Sequence, residues 1–319
     1  MRWRGHGTKG LLAAAAALAL SGCELLAPPP PEAAPRPRAP EAPKPAPPSQ
    51  SQQSRLLAAY YQRVQDDLLA LGLLRQGGGG PDTPFSARQL AENFTRIALY
   101  DEFTIENGRV SQRETPSRLR RWEQPVRLRL IYSRTMPHAR HLKDRAILQA
   151  YAARLSRLTD LPVRLVPQGG NFHVLILDED ERRAVGPLVR KLVPGVGNGV
   201  LRAITDMPRD TRCLVFAFPE ATGSNRYASA IAVIRAEHPD LLRIACIHEE
   251  IAQGLGLAND SPHARPSIFN DDEEFGRLTT MDELMLKMLY DKRLRPGMTP
   301  EQARPIVERI ARELTGGSA

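Results

Sequence analysis

Cysteine is scarce in this chain. Only three cysteines occur among 319 residues, and none has a Cys-x-x-Cys partner, which excludes a zinc ribbon and a thioredoxin-like redox motif. Long apolar runs are lacking too. The run at residues 11–20 is too short to span a bilayer as a permanent helix, and no other stretch could span one.

Several motifs that mark enzymes are also missing. There is no Gly-x-Ser-x-Gly elbow, and the spacing of Gly195, Gly197 and Gly199 fits neither a dinucleotide fingerprint nor a P-loop, so we expect a loop there. A His-Glu-x-x-His zinc motif needs two histidines four residues apart on one helix face. Ala252 stands four residues after His248, so His248 cannot begin that motif.

The N-terminus carries a targeting signal. Basic residues precede the apolar run, and Leu-Ser-Gly-Cys follows at residues 20–23, which resembles a bacterial lipobox. The resemblance implies a lipoprotein signal peptide at 1–22, acylation of Cys23, and a membrane-anchored lipoprotein that faces the periplasm. Glu24 in place of an aspartate favours the outer membrane over the inner one. The alternative is an ordinary signal peptide whose cleavage site contains a cysteine.

The composition changes after Cys23. Eleven of the 28 prolines lie within residues 28–48, which predicts a disordered, semi-rigid tether over 23–50. We expect an N-terminal helical segment at 51–120 and a larger domain at 121–319. The net charge of +8 could serve anionic lipids or glycans, although a solvated basic surface is the simpler interpretation. Nucleic acid is not an expected partner of an exported protein.

Hydrophobic periodicity predicts a mixed α+β domain. Helices are expected near residues 56–71, 86–99, 142–158, 181–192 and 239–254, and strands at 126–132, 163–166, 172–177, 213–218 and 229–235. With Cys23 assigned to lipid, Cys213 and Cys246 remain as an even pair in an oxidising compartment. This pair predicts one structural disulfide.

The most informative stretch is residues 249–260, Glu-Glu-Ile-Ala-Gln-Gly-Leu-Gly-Leu-Ala-Asn-Asp. It resembles the metzincin signature of zinc peptidases, His-Glu-x-x-His-x-x-Gly-x-x-His-Asp, with every zinc-binding histidine replaced. The resemblance places Glu250 at the general base and Gly256 at the turn that returns the third ligand. It also implies degenerate metal-ligand positions: Glu249, Gln253, Asn259 and the adjoining Asp260.

The sequence downstream extends this resemblance. Residues 266–270, Pro-Ser-Ile-Phe-Asn, are similar to the Ser-Ile-Met-Asn turn beneath a metzincin metal, with Ser267 retained and Phe269 in place of methionine. Residues 278–291 are similar to the helix that follows in matrixin-like peptidases. The run to residue 299 also resembles an uncharacterised bacterial family of unknown function with a Glu-Glu-x-x-Gln-x-Leu-Gly-Leu-x-Asn-Asp signature. A zincin-like mixed sheet with packed helices is the implied fold.

The substitutions weaken the case for a metal. Zinc prefers imidazole, thiolate and carboxylate ligands, so the neutral amides of Gln253 and Asn259 are poor replacements. An all-oxygen set would suit calcium better, but a helix face lacks the six to eight converging oxygens that calcium takes. We expect no tightly held cofactor, and neither zinc nor calcium is excluded. The alternative for the two glutamates and the glycines is a solvated helix face with a C-cap.

Two functional hypotheses follow. The first is a non-catalytic envelope lipoprotein whose metzincin-like cleft binds a peptide, a glycan or a protein partner. The second is an atypical metal-dependent hydrolase in which Glu250 is the general base.

Overall fold

Helices and strands alternate along most of the chain. A computed structural model describes residues 49–106, 109–270 and 272–316, so the predicted signal peptide, Cys23 and nearly all of the proline-rich tether lie outside the described residues. The helices are α1 Gln52–Ala70, α2 Ala87–Leu99, α3 His138–Thr159, α4 Glu179–Arg183, α5 Gly186–Leu192, α6 Asn198–Thr205, α7 Asp240–Leu255, α8 Thr280–Leu289 and α9 Pro300–Leu314. The strands are β1 Tyr100–Glu106, β2 Arg109–Pro116, β3 Arg121–Trp122, β4 Val126–Tyr132, β5 Val163–Leu165, β6 Phe172–Leu177, β7 Cys213–Pro219 and β8 Arg226–Arg235.

The main sheet is mostly parallel. Its strands follow the order β5-β4-β6-β8-β7, and the short β3 pairs with the beginning of β8. Every pairing is parallel except that of β7, which runs antiparallel to β8 with Ala217 opposite Ala230. β1 and β2 form a separate antiparallel pair. The protein is therefore a mixed α/β structure with one antiparallel strand at the edge of its main sheet.

Helices cover both faces of this sheet. Alternate residues of a strand point to opposite faces, so Val174 and Ile176 of β6 join one core and Leu175 and Leu177 join another. The larger core includes α2, α3, α7, α8 and α9, while the smaller one includes α5 and α6. β6 is buried along its full length, which explains its continuous apolar sequence.

Helix α1 packs against the rest of the domain. Leu57 and Tyr61 on one of its faces are buried with Leu242 of α7. The side-chain oxygen of Gln65 accepts the backbone N–H groups of Leu241 and Leu242 at 3.0 and 3.3 Å. Gln65 thus satisfies free N–H groups in the first turn of α7. The described residues form one compact unit.

Two local predictions need correction, and one element was missed. The glycines at 195–199 do not form a continuous loop, because Gly199 lies within α6, where Val200 and Ile204 are buried. The helix predicted at 181–192 is two helices, separated where Gly186 and Pro187 begin α5. The β1–β2 hairpin was not predicted.

No helix in the described ranges has the length and hydropathy needed to cross a membrane.

Candidate functional site

The candidate site is centred on α7. This helix packs closely against the sheet at Gly254, where a Cβ atom would lie 2.4 Å from Cζ of Phe172 in β6. The indole N–H of Trp122 donates to the carbonyl of Gly254 at 2.8 Å. The helix ends at Gly256, whose φ of +126° is one that L-residues rarely adopt. A Cβ at this position would lie 2.3 Å from the carbonyl oxygen of Arg120.

A cleft of about 380 Å³ lies between α7 and the edge strand β7. Leu214, Val215 and Ala217 of β7 line one side of it. The polar side chains that line the cleft are mostly acidic and come from α7 and from three loops: Asp210, Arg212, Glu249, Glu250, Gln253, Asp260 and Glu273. The structure therefore brings together four of the site residues that the sequence predicts, together with acidic residues that it did not.

The carboxylates strongly influence one another. Burial raises the pKa of Glu249 well above its usual value, and the nearby charges of Asp260 and Glu250 raise it further. Arg212 lowers the pKa of Glu249, but this effect is smaller. Arg212 is also ion-paired with Glu273. Negative charge thus exceeds positive charge in the cleft.

The two amide residues of the motif have other partners. The amide of Gln253 donates to the carboxylate of Asp260 at 2.9 Å. Asn259 is buried, and its amide donates to the carbonyl of Arg96 in α2 at 3.0 Å. Its backbone N–H donates to the carbonyl of Ile97 at 3.1 Å. Asn259 therefore fixes the loop after α7 to α2 and does not line the cleft.

This arrangement does not fit a zinc site. Zinc needs three converging lone pairs from imidazole, thiolate or carboxylate groups, whereas Gln253 directs an N–H group at Asp260 and Asn259 faces α2. Among the described residues, no group of three or more His, Cys, Asp or Glu side chains is arranged to hold a metal ion.

The predicted disulfide is confirmed. Cys213, at the start of β7, is bonded to Cys246 of α7, with the two Cα atoms 6.0 Å apart. The bond fixes the edge strand to the motif helix at one end of the cleft. His238 lies beside it, with Nδ1 3.8 Å from Sγ of Cys246.

The histidine next to the carboxylates is not in the cleft. His248 is buried and stacks on Tyr151 with ring centroids 4.0 Å apart. Burial lowers its pKa well below the usual value, which keeps the imidazole neutral. His248 is therefore a packing residue of α7.

The turn at residues 266–270 lies under the loop that follows α7. The backbone N–H of Ser261 donates to the carbonyl of Phe269 at 2.8 Å, and Phe269 is fully buried. Ser267 Oγ donates to Asp282 at 2.5 Å and accepts the N–H of Phe269 at 3.1 Å. Asp282 was not predicted to support this turn, although its position three residues after Thr279 is that of a capping box.

Comparison with known proteins gives one result. The model of a family described as "Protein of unknown function (DUF2927)" matches residues 87–309. The chain belongs to this family. The DUF2927 match runs from the start of α2 into α9 and includes every residue that lines the cleft, while α1 precedes it. No curated protein and no solved structure shows significant similarity to this DUF2927 protein.

Sequence reasoning missed three of the residues that the loops contribute to the cleft. Asp210 and Arg212 precede β7, and Glu273 belongs to the loop between the buried turn and α8. No local spacing links these residues to α7, so no sequence pattern could have identified them. The outer edge of β7 was missed as well, since a strand's position in a sheet cannot be read from its own residues.

Proposed function

We propose that the cleft beside β7 binds an extended peptide segment of a partner protein, which adds a strand to the outer edge of β7. The carrying observation is the position of that edge. In the described part of the chain β7 pairs with β8 alone, so alternate N–H and C=O groups on its other side have no strand partner. The same strand lines the acidic cleft through Leu214, Val215 and Ala217.

The proposed domain is zincin-like and non-catalytic. Support for the fold comes from a helix that lies beside an antiparallel edge strand, ends at Gly256 and is followed by a buried Ser-Ile-x-Asn turn. Support for the absence of catalysis comes from the chemistry of Gln253 and Asn259, whose amides are engaged by Asp260 and by Arg96. Without a cation to lower the pKa of a bound water, Glu250 has no activated nucleophile to serve.

The proposed location is the periplasmic face of a membrane, preferably the outer one, with Cys23 acylated. The lipobox-like residues 20–23 and the proline-rich segment support this location, and a disulfide suits an oxidising compartment. Cys23→Ser should release the protein from the membrane fraction. Membrane association of that variant, with no lipid on the wild-type N-terminus, would contradict the anchor.

Peptide binding can be tested with the full-length chain in detergent. The probe is a fluorescein-labelled nine-residue peptide of alternating Thr and Val with a central Lys, and anisotropy reports binding. An added strand forms hydrogen bonds through the backbone N–H groups on only one of its two edges. N-methylation of the alternate amides on that edge of the peptide should therefore abolish binding, whereas N-methylation of the amides on the opposite edge should not. Ala217→Trp fills the cleft and should also abolish it, whereas Ala221→Trp, at an exposed turn, should not.

The result decides the proposal. No binding by the wild type, or binding that neither N-methylated peptide weakens, would overturn strand addition. The hydrolase alternative has its own test, namely metal analysis of native protein purified without chelators and a peptidase assay. Stoichiometric zinc, together with a chelator-sensitive activity that Glu250→Gln abolishes, would replace binding by hydrolysis as the function.

A further inference from the structure

A second cavity continues the cleft along β7. It has a volume of about 520 Å³ and lies near the Pro219 end of the strand. Ala217 and Tyr227 line both cavities. The two cavities therefore form one trough, which follows β7 from Cys213 to Pro219.

The two ends of this trough carry opposite charge. Five acidic side chains line the first cavity, which extends along β7 from Cys213 to Ala217, and Arg212 is the only basic residue among the described residues that line it. The Pro219 end is lined by Arg118 and Arg120, together with Ser224 and Asn225, and by no acidic side chain in the described part. A strand-length ligand would thus pass from a negative to a positive environment.

At the basic end, Arg118 is the basic residue that an anionic group of a ligand could bind. Arg120 is ion-paired with Asp101. Arg118 is exposed and donates one hydrogen bond, to the carbonyl of Gly297 at 2.9 Å. No carboxylate in the described part of the chain pairs with its guanidinium group. An anionic group of a ligand could therefore approach it without displacing a protein partner.

Resting on the proposed peptide binding, we infer that the trough selects an extended peptide with a cationic group at the Cys213 end of β7 and an anionic group at the Pro219 end. The cation would be a Lys or Arg side chain or an α-amino group, placed among Glu249, Glu250 and Asp260. The anion would be an Asp or Glu side chain or an α-carboxylate, placed at Arg118. Charge complementarity of this kind fixes the direction and register of a bound strand.

The length of the strand sets the separation of the two charges. β7 contains seven residues, and strands rise by about 3.3 Å per residue, so the ends are roughly 20 Å apart. Paired strands share this rise. The two charged positions of the peptide should therefore be at most about six residues apart.

The experiment uses three labelled peptides on one alternating Thr/Val scaffold with the full-length chain. One has Lys at position 2 and Asp at position 8, the second has the reverse order, and the third has Gln and Asn at these positions. At least one of the two charged orders should bind roughly three- to tenfold more tightly than the neutral peptide. Arg118→Glu should reduce or invert this preference, whereas Arg157→Glu, an exposed change at the end of α3, should not alter it.

The outcomes separate the two claims. Affinity of both charged orders no higher than that of the neutral peptide, or a preference that Arg118→Glu leaves unchanged, would overturn the charge selection while strand addition stands. Failure of all three peptides to bind would overturn both. A preference that 0.5 M salt does not reduce would also count against selection by charge, because surface ion pairs are screened.

Discussion

Gly256→Ala should destabilise the protein through two separate effects. The first is conformational, because a φ of +126° costs an L-residue about 1–3 kcal/mol. The second is steric, since the new Cβ would lie 2.3 Å from the carbonyl oxygen of Arg120 and 3.0 Å from Cδ2 of Leu289. A backbone oxygen cannot rotate away, so α7 or the strand that follows Arg120 must shift, at a further cost of about 1–3 kcal/mol.

These costs are partly offset. Replacing glycine by alanine restricts the unfolded chain, which stabilises the folded state by about 0.4–1 kcal/mol. The net loss in the free energy of unfolding should therefore be about 1–5.5 kcal/mol. For a domain of this size each kcal/mol lowers Tm by about 2–4 °C, so we expect a decrease of roughly 2–22 °C by differential scanning fluorimetry.

Gly195→Ala is the matched control. Gly195 also has a positive φ, of +85°, but a Cβ there would meet no atom within 4 Å. This variant should show the conformational cost alone, about 1–3 kcal/mol before the offset. If Gly256→Ala costs no more than Gly195→Ala, close contact with Arg120 does not constrain the end of α7, and the reasoning fails.

Three further predictions concern α7 and its partners. Replacing both Cys213 and Cys246 by Ser should lower the free energy of unfolding by about 3–4 kcal/mol, because the disulfide closes a loop of 33 residues. Urea unfolding measures this loss. Two free thiols in the native protein would contradict the disulfide. Gln65→Ala should cost about 1–2 kcal/mol, since two N–H groups at the start of α7 lose their acceptor, whereas Gln62→Ala on the exposed face should cost little. Glu249→Gln should stabilise the protein, and increasingly so as the pH rises above about 4.5. Because the pKa of Glu249 is raised in the folded state, the folded protein keeps a proton that the unfolded chain releases. The stability of the wild type therefore falls as the pH rises towards the folded-state pKa. Urea unfolding at pH 4 and pH 7.5 checks this prediction, and a difference between variants that does not change with pH would refute it.

The central part of the fold was predictable because its signals are local. The helix predicted at 239–254 is α7, and the strands predicted at 172–177 and 213–218 are β6 and β7, each within one residue. Continuous apolar runs identify buried strands, and a glycine after a helical pattern marks its end. The disulfide was predictable from the number of cysteines and the expectation of an oxidising compartment.

The errors arose where local signals conflict. Around Gly197 and Gly199 the glycines outweighed the helical spacing of Val200, Leu201 and Ile204, yet burial of these side chains stabilises α6. The hairpin of β1 and β2 was missed although the sequence signals it, since Asn-Gly at 107–108 stands between two segments in which apolar and polar residues alternate.

The site was predictable only in part. Residues 249–260 predicted that α7 carries the candidate site, but sequence order does not reveal where a side chain points. Asn259 follows the motif register and still faces α2, because the loop after Gly256 is fixed by the carbonyl groups of Arg96 and Ile97. The acidic loops and the free edge of β7 belong to tertiary structure and were out of reach.

Carboxylates such as those that line the cleft bind metal ions and organic cations under different geometric requirements. A metal ion needs several lone pairs that converge on one point. Gln253 does not supply one, because its amide directs an N–H group at Asp260. An ammonium or guanidinium group brings its own N–H donors, so it can bind carboxylates that point in different directions. Entry of such a group would also expel the proton that the raised pKa retains on Glu249. The carboxylate and amide groups of the cleft thus favour a cationic side chain over zinc.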